Sequence, residues 1–259
     1  MTGRKLLKRQ KLRNNEYYDM QSVFDELYEN SLAKCEFKNL ISIITAEENI
    51  RLAYRNLKKN AGSRTPGTDG KTIADLAKMS EPELIGFVQQ KFNWYQPQSV
   101  RRKEIPKGNG KTRPLGIPTI MDRLIQQCVL QVMEPICEAK FCETSNGFRP
   151  NRGVENALAQ AEKHMQKSNL HIVIDIDIKG FFDNVNHGKL LRQIWTMGIH
   201  DKKLLSIISA MLKAEVAGIG FPEKGTPQGG ILSPLLSNIV LNELDWWITS
   251  QWVGMPTRH

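Results

Sequence analysis

Apolar residues recur at helical spacing through most of the first hundred positions. The first stripe consists of Met20, Val23, Phe24, Leu27 and Tyr28. These spacings of i, i+3, i+4, i+7 and i+8 place the side chains on one face, which predicts an amphipathic helix. Two more helices are predicted to begin at capping boxes, in which Thr45 precedes Glu48 and Ser80 precedes Glu83.

The pattern changes to that of strands between residues 100 and 117. Residues 100–106 and 111–117 flank Gly108, Asn109 and Gly110, which are turn formers. We therefore predict a β-hairpin at this point of the chain.

Helical patterns return after the hairpin. Apolar stripes indicate helices near residues 125–137, 154–165, 190–194, 204–211 and 233–248. A short second hairpin is expected over residues 215–223. The run from 171 to 178 is β-branched and apolar except for Asp175 and Asp177, so it predicts a buried strand.

These elements predict an α+β fold. Helices dominate before about residue 100, and a strand with carboxylates stands among helices after about residue 168. A chain of 259 residues with 40% hydrophobic content can bury one sizeable core. We expect two sub-domains that share this core.

The charge balance favours a polyanionic partner. Lys and Arg total 36 against 27 Asp and Glu, a formal net charge of +9 with a pI near 9.4. The basic residues near the N-terminus are Arg4, Lys5, Lys8, Arg9, Lys11 and Arg13. This cluster is either a solvated tail or a contact for nucleic-acid phosphates.

The cysteines predict reduced thiols. Cys35, Cys128, Cys137 and Cys142 include no Cys-x-x-Cys pair, which a zinc site or redox dithiol would use. Cys128 and Cys137 fall on an apolar helix face, where cysteine serves as a small buried hydrophobe. With no apolar run of membrane-spanning length and no h-region, we expect no membrane partner and a reducing compartment inside the cell, either the bacterial cytoplasm or an organelle.

Asp177 carries the sharpest chemical signal. A carboxylate at the end of an apolar strand costs several kcal/mol to bury unless a metal or cation pairs with it. The alternative is an acid or amide that caps the following helix, as Asp183 or Asn184 could do. We favour a metal ligand at Asp177.

Two other segments suggest contacts with phosphates. Adjacent glycines in the Gly-Thr-Pro-Gln-Gly-Gly run at 225–230 let backbone approach a ligand closely, although such a turn alone proves nothing. The predicted first hairpin carries many Lys and Arg side chains, which could fold over a triphosphate. It could equally be a solvated edge made basic against aggregation.

Taken in order, these segments resemble the reverse transcriptases of group II introns. The similar motifs are Pro-Gly-Thr-Asp-Gly at 66–70, the basic hairpin, Gly-Phe-Arg-Pro at 147–150, Asp-Ile-Lys-Gly-Phe-Phe-Asp at 177–183 and the Gln-Gly-Gly loop. The resemblance covers most of residues 36–245. It implies right-hand polymerase fingers, rich in helices with one hairpin, and a palm with a small antiparallel sheet packed on helices.

The resemblance also implies residue roles. Asp177 and the main-chain carbonyl of Ile178 would bind two Mg²⁺ for nucleotidyl transfer. Phe182 would exclude the 2′-hydroxyl, while Phe181 would pack in the core because one of two adjacent strand residues points inward. The remaining deoxynucleotide contacts implied are Lys107, Arg113, Gln228 and Gly229. Arg101 would contact nucleic acid or triphosphate.

One part of the family pattern is missing. The other catalytic acids of the family lie in a Tyr-x-Asp-Asp hairpin after the Gln-Gly-Gly loop, but no Asp follows Asp245, which belongs to a helix stripe. We therefore expect a basic arm and first helix at 1–35, fingers at 36–167 and an incomplete palm at 168–259. Such a chain would bind RNA without catalysing polymerisation alone.

Three functions stay open at this point. The first is an RNA-directed DNA polymerase that uses structured intron RNA, an RNA template with a DNA primer, and deoxynucleoside triphosphates. The second is a non-enzymatic role in intron RNA binding and splicing, as a maturase. A retron or diversity-generating reverse transcriptase is the alternative within the enzyme class.

Overall fold

The structure is a computed structural model that describes residues 12–106, 110, 112–167, 172–227 and 229–253. Residues 12–17, which we label α1, are helical. The further helices are α2 Gln21–Leu32, α3 Leu40–Ile44, α4 Glu47–Lys59, α5 Ile73–Leu76, α6 Glu81–Asn93, α7 Ile120–Glu138, α8 Val154–Lys167, α9 Phe181–Asn184, α10 His187–Thr196, α11 Lys202–Leu212 and α12 Ser233–Ile248. A 3-10 turn spans Ala61–Arg64, and a π-helical turn spans Thr249–Val253.

The predicted first hairpin is confirmed. Strands β1 Arg101–Pro106 and β2 Thr112–Ile117 pair antiparallel, with Arg101 opposite Ile117 and Pro106 opposite Thr112. The turn formers Gly108 and Asn109 lie outside the described residues.

Helix α7 forms the centre of the core. It packs against α2, α3, α4 and α12. Its side chains with no exposed surface are Ile120, Leu124, Ile125, Cys128, Val129, Val132, Met133, Ile136 and Cys137. Because this apolar stripe continues through the whole helix, burial against several neighbours stabilises α7 more than its intrinsic propensity does.

Only one of the two capping-box predictions is correct. The Glu83 carboxylate accepts hydrogen bonds from the Ser80 amide and hydroxyl, at 2.8 and 2.6 Å, and completes the box of α6. The prediction for Thr45 was wrong because Thr45 ends α3, where its hydroxyl donates to the Ile41 carbonyl. Helix α4 begins after Ala46 instead.

The predicted buried strand at 171–178 is also wrong. Residues 172–178 have no regular secondary structure, and Ile172, Val173, Ile174 and Ile176 are 71–88% exposed. A strand needs a neighbouring strand to pair its backbone groups, and no strand of the described residues lies beside this segment. The segment is apolar, as the sequence indicated. A strand here would need a neighbouring strand, which the described part of the chain does not supply.

Two other predictions hold in part. Helix α8 forms where predicted, yet its apolar residues Val154, Leu158 and Met165 are exposed rather than buried. The expected hairpin at 215–223 is a tight turn with a single bridge between Val216 and Gly220. Val216 also bridges to Val100, which attaches this turn to the start of β1.

The predictions for the last helix and for the cysteines agree with the structure. Helix α12 spans the predicted residues, and all four cysteines are free thiols, with Cys128, Cys137 and Cys142 buried. Among the described residues, no helix has the length and apolar character to cross a membrane.

Candidate nucleotide and nucleic-acid site

The Gln-Gly-Gly loop begins against the backbone around Phe182. The Thr226 amide donates to the Phe182 carbonyl, and the Gly225 amide donates to the Val185 carbonyl, both at 2.7 Å. A ring nitrogen of the buried His187 lies 2.7 Å from the Gly225 carbonyl oxygen. These hydrogen bonds attach the start of the loop to the chain segment that follows Asp177.

The other end of the loop packs against strand β2. A Cβ at Gly229 would lie 2.5 Å from the Gly116 carbonyl oxygen, and Gly229 has a φ of +111°. Both facts exclude other residues here, because a side chain would clash and the backbone conformation favours glycine. Further along, the Gln126 side chain of α7 accepts from the Ile231 amide at 2.9 Å.

Three sequence motifs therefore meet in space. The loop touches Phe182 on one side and the Gly116 end of the hairpin on the other, although these residues are 66 positions apart in the chain. A ligand that contacts the loop would have the basic hairpin and Phe182 within the same neighbourhood.

Phe181 and Phe182 occupy a helical turn rather than a strand. They begin α9, and their rings meet edge to face with centroids 5.6 Å apart. Phe181 packs against the core as predicted, and Phe182 is also half-buried. The period-two argument that separated their roles was wrong, because in a helical turn adjacent side chains diverge by about 100° instead of alternating.

Asp177 and Ile178 lie in the exposed segment before α9. Within the described ranges, no group of three or more His, Cys, Asp or Glu side chains could hold a metal ion. The alternative that Asn184 caps the following helix is wrong, because the Asn186 side chain accepts from the Lys189 amide and caps α10 instead. The Asn184 amide donates to the Gly180 carbonyl, and its oxygen accepts from Lys224. Asp177 therefore does not belong to a group of three metal-ligating side chains in the part of the chain that the structure describes.

The predicted basic contacts are only partly described. Arg101 starts β1, and its Nε atom is buried without a hydrogen-bond partner among the described atoms. Arg13 is exposed on α1. The predicted contacts that lie outside the described residues are Arg4, Lys5, Lys8, Arg9, Lys11, Lys107 and Gln228, and the side chain of Arg113 is likewise not described.

Two buried residues in the first turn of α7 bind earlier parts of the chain, and the sequence analysis gave them no role. The Arg123 guanidinium donates to the Gly62 and Thr65 carbonyls, each at 2.7 Å, and burial lowers its pKa. Asp122 accepts from the Tyr95 hydroxyl, and burial raises the pKa of its carboxyl. The two residues begin an Asp-Arg-Leu-Ile-Gln-Gln run at residues 122–127, and this run was the available signal.

Comparison with protein families decides what this arrangement represents. The model of the reverse transcriptase (RNA-dependent DNA polymerase) family matches residues 105–257, which include strand β2 of the hairpin, the Asp177 segment and the Gln-Gly-Gly loop. This chain belongs to the reverse transcriptase family. The resemblance predicted from its motifs is confirmed.

Its relatives point to group II introns. The chain is 35% identical over 229 residues to protein YkfC of Escherichia coli, and 38% identical over 240 residues to the group II intron-encoded protein LtrA of Lactococcus lactis. It is 29% identical to a putative COX1/OXI3 intron 1 protein of Saccharomyces cerevisiae, over 87% of the chain. These matches cover 85% and 88% of the chain for the first two relatives, but only 60% of YkfC and 38% of LtrA.

A solved structure confirms the fold. A chain of a partial Cas6-RT-Cas1–Cas2 complex matches 82% of this reverse transcriptase chain with a TM-score of 0.51 at 22% identity. This chain covers 35% of that one. The helix-rich architecture with one antiparallel hairpin is therefore that of polymerase fingers and palm.

Proposed function

We propose that this chain is the fingers and part of the palm of a group II intron RNA-directed DNA polymerase. The observation that carries the proposal is the Gln-Gly-Gly loop held between Phe182 and the Gly116 end of the basic hairpin. In this proposal residues 1–35 form a basic arm and first helix, 36–167 the fingers and 168–259 the palm. The substrates are an RNA template, a DNA primer and deoxynucleoside triphosphates.

The proposed nucleotide contacts follow from that packing. Gln228 and Gly229 approach the incoming nucleotide through the loop, and Lys107 and Arg113 contact its triphosphate from the hairpin. Arg101 binds a phosphate, which would give its buried Nε the acceptor that the described residues do not provide. Phe182 closes the sugar pocket and selects deoxynucleotides by a clash with the 2′-hydroxyl.

The metal site needs more carboxylates than the described residues bring together. Reverse transcriptases generally use divalent metal ions, which activate the primer hydroxyl and neutralise the triphosphate. Asp177 and the Ile178 carbonyl would contribute to such a site, but the described residues contain no cluster of three metal ligands. Two cations therefore do not fit these residues alone, and we propose that acids of a Tyr-x-Asp-Asp hairpin complete the site.

A role in splicing is the second candidate. The chain is 26% identical to nuclear intron maturase 4 of Arabidopsis thaliana, over 81% of its length. Its net charge of +9 would serve binding of structured intron RNA with or without polymerisation.

Binding measurements test the RNA component. We expect the chain to bind a structured intron RNA and an RNA–DNA template–primer, with affinity that falls as salt rises. Deleting residues 1–13 should flatten the slope of log K against log salt by up to roughly 0.7 to 0.9 per lost phosphate contact. The fold should survive this deletion, because the buried positions among the described residues begin at Met20. An unchanged slope would mean that residues 1–13 make no phosphate contacts and that RNA binds to the fingers alone.

Sugar selection tests the nucleotide component. We expect Phe182→Ala to admit ribonucleotides in a fusion that adds a reverse transcriptase palm segment with the Tyr-x-Asp-Asp hairpin. Phe181→Leu is the matched control, because the Phe181 ring packs against the core and should leave selectivity unchanged. Unaltered discrimination in the Phe182 variant would place the sugar gate at another residue.

A further inference from the structure

An aromatic and basic cleft lies on helices α10 and α11, away from the residues assigned above. The cleft is open, with a volume of about 650 Å³. Its lining residues are Glu36, Lys38, Trp195, His200, Asp201, Lys202 and Lys203. The proposed polymerase reaction uses none of them.

Two rings form a stacked pair within this cleft. The ring centroids of Trp195 and His200 are 4.1 Å apart, and the ring planes differ by only 16°. Trp195 is nevertheless 38% exposed, so indole surface stays open to solvent. Large aromatic side chains are usually buried in a core. The solvent-exposed surface of the Trp195 indole is large enough for one more planar group to stack on it.

The pair is rigid before any ligand arrives. One ring nitrogen of His200 lies 3.1 Å from the Trp195 carbonyl oxygen, and the other lies 3.3 Å from the Glu36 carboxylate. The Phe37 backbone pairs with residues 198–200, which locks the two chain segments together. A preorganised platform loses little conformational entropy when a ligand binds.

The charges around the rings favour an anionic ligand. Lys202 and Lys203 are exposed, and they occupy the first turn of α11, where the helix dipole disfavours cations. The acid Glu36 is paired with Lys38 at 2.9 Å, and the carboxylate of buried Asp201 accepts from the Ile41 and Leu204 amides. The acids of the cleft are thus occupied by protein donors, whereas Lys202 and Lys203 point their charge outwards.

We propose that this cleft is a second RNA site, in which an unpaired nucleobase stacks on Trp195 while Lys202 and Lys203 contact the adjacent phosphates. Stacking on an aromatic ring beside basic side chains is how proteins bind single-stranded nucleic acid without reading its sequence. An acidic peptide would match the lysines but would leave the exposed indole without a planar partner. The inference deepens the proposed RNA-binding function and rests on it.

The test measures the binding of a fluorescently labelled single-stranded RNA of about ten nucleotides by anisotropy, on a length scale that suits such sites. We expect Trp195→Leu to weaken binding by about 5- to 100-fold, the effect of losing one stacked base. Trp94→Leu is the matched control, because Trp94 is 78% exposed on the fingers side of the chain and should stay within about twofold of wild type.

A second pair of variants tests the lysines without any risk to folding. We expect the double substitution Lys202→Gln, Lys203→Gln to reduce the salt slope by up to roughly 0.7 per lysine. The control is Lys58→Gln, Lys59→Gln, an adjacent pair at the end of α4. Equal losses for both pairs would indicate diffuse attraction and would overturn the site.

The outcomes separate this inference from the proposed function. Full affinity in both Trp195→Leu and the Lys202, Lys203 variant would overturn the cleft while leaving RNA binding elsewhere intact. A wild-type chain that binds neither structured nor single-stranded RNA would contradict both proposals. Equally tight, Trp195-dependent binding of poly-glutamate would assign the cleft to an acidic protein and reject RNA.

Discussion

Helix α7 and residues 172–178 are two apolar regions that the sequence predicted to be buried, and they differ completely in the structure. Leu124, Ile125 and Val129 of α7 have no exposed surface, while Ile174 and Ile176 are 79% and 71% exposed. A helix satisfies its own backbone hydrogen bonds, so an apolar stripe is sufficient to bury it. A strand also needs neighbouring strands, and hydrophobicity cannot supply them.

The difference bears on the proposed metal site, because Asp177 lies in the exposed segment. In the described residues, α7 packs against α2, α3, α4 and α12. Residues 172–178 combine apolar side chains with Asp177, but no strand of the described residues pairs with them. The following predictions test this contrast.

The largest effect is expected from Asp177 itself. In a fusion that adds a palm segment with the Tyr-x-Asp-Asp hairpin, Asp177→Ala should reduce primer extension by more than about 1000-fold, since a metal ligand is lost. RNA affinity should stay nearly constant because an acid contributes little to phosphate binding. Asp175→Ala, from the same exposed segment, should retain most activity. Equal losses of extension in both variants would mean that the segment acts structurally.

Truncating a side chain should also affect the free energy of unfolding differently in the two regions. Leu124→Ala in α7 should lower the free energy of unfolding by about 2–5 kcal/mol, whereas exposed Ile176→Ala should stay within about 0.5 kcal/mol. Chemical denaturation of the two variants measures this directly. A large loss from Ile176→Ala would show that residues 172–178 are buried in solution.

Gly229 tests the contact between the loop and the hairpin. Gly229→Ala should destabilise the loop by about 1–3 kcal/mol, because it combines an unfavourable positive φ with a clash against Gly116. Gly218→Ala is the matched control, since Gly218 has a φ of +78° with no atom near its Cβ position. Hydrogen exchange at residues 229–231 should rise in the first variant alone. Equal effects would remove the evidence for close packing.

The smallest effect concerns the two predicted capping boxes. Ser80→Ala should cost about 0.5–2 kcal/mol, while Thr45→Ala should cost less, because Thr45 caps no helix N-terminus. Hydrogen bonds from Ser80 lower the pKa of Glu83, so this contribution is present above the unfolded-state pKa of Glu83. It is lost as the pH falls through the lowered pKa of the folded state. A Ser80 effect that persists at that low pH would contradict this assignment.

The sequence predicted features that depend on local pattern. The stripe of α7, the hairpin and the bounds of α12 follow from periodicity and turn formers. The short helices α3 and α5 were missed because five and four residues do not establish a helical period. Arg123 binds carbonyls about sixty positions away, and no local pattern reports a contact at that distance. The family motifs identified the Gln-Gly-Gly loop, but not its hydrogen bonds or its packing against Gly116.

Primer extension tests the central claim most directly. The chain is mixed with a labelled DNA primer on an RNA template, Mg²⁺ and deoxynucleoside triphosphates, and both binding and extension are measured. We predict salt-sensitive binding without extension by the 259-residue chain, and Mg²⁺-dependent extension by the fusion that supplies the Tyr-x-Asp-Asp hairpin. Extension by the chain alone, or a fusion that binds template–primer but never extends it, would contradict the account.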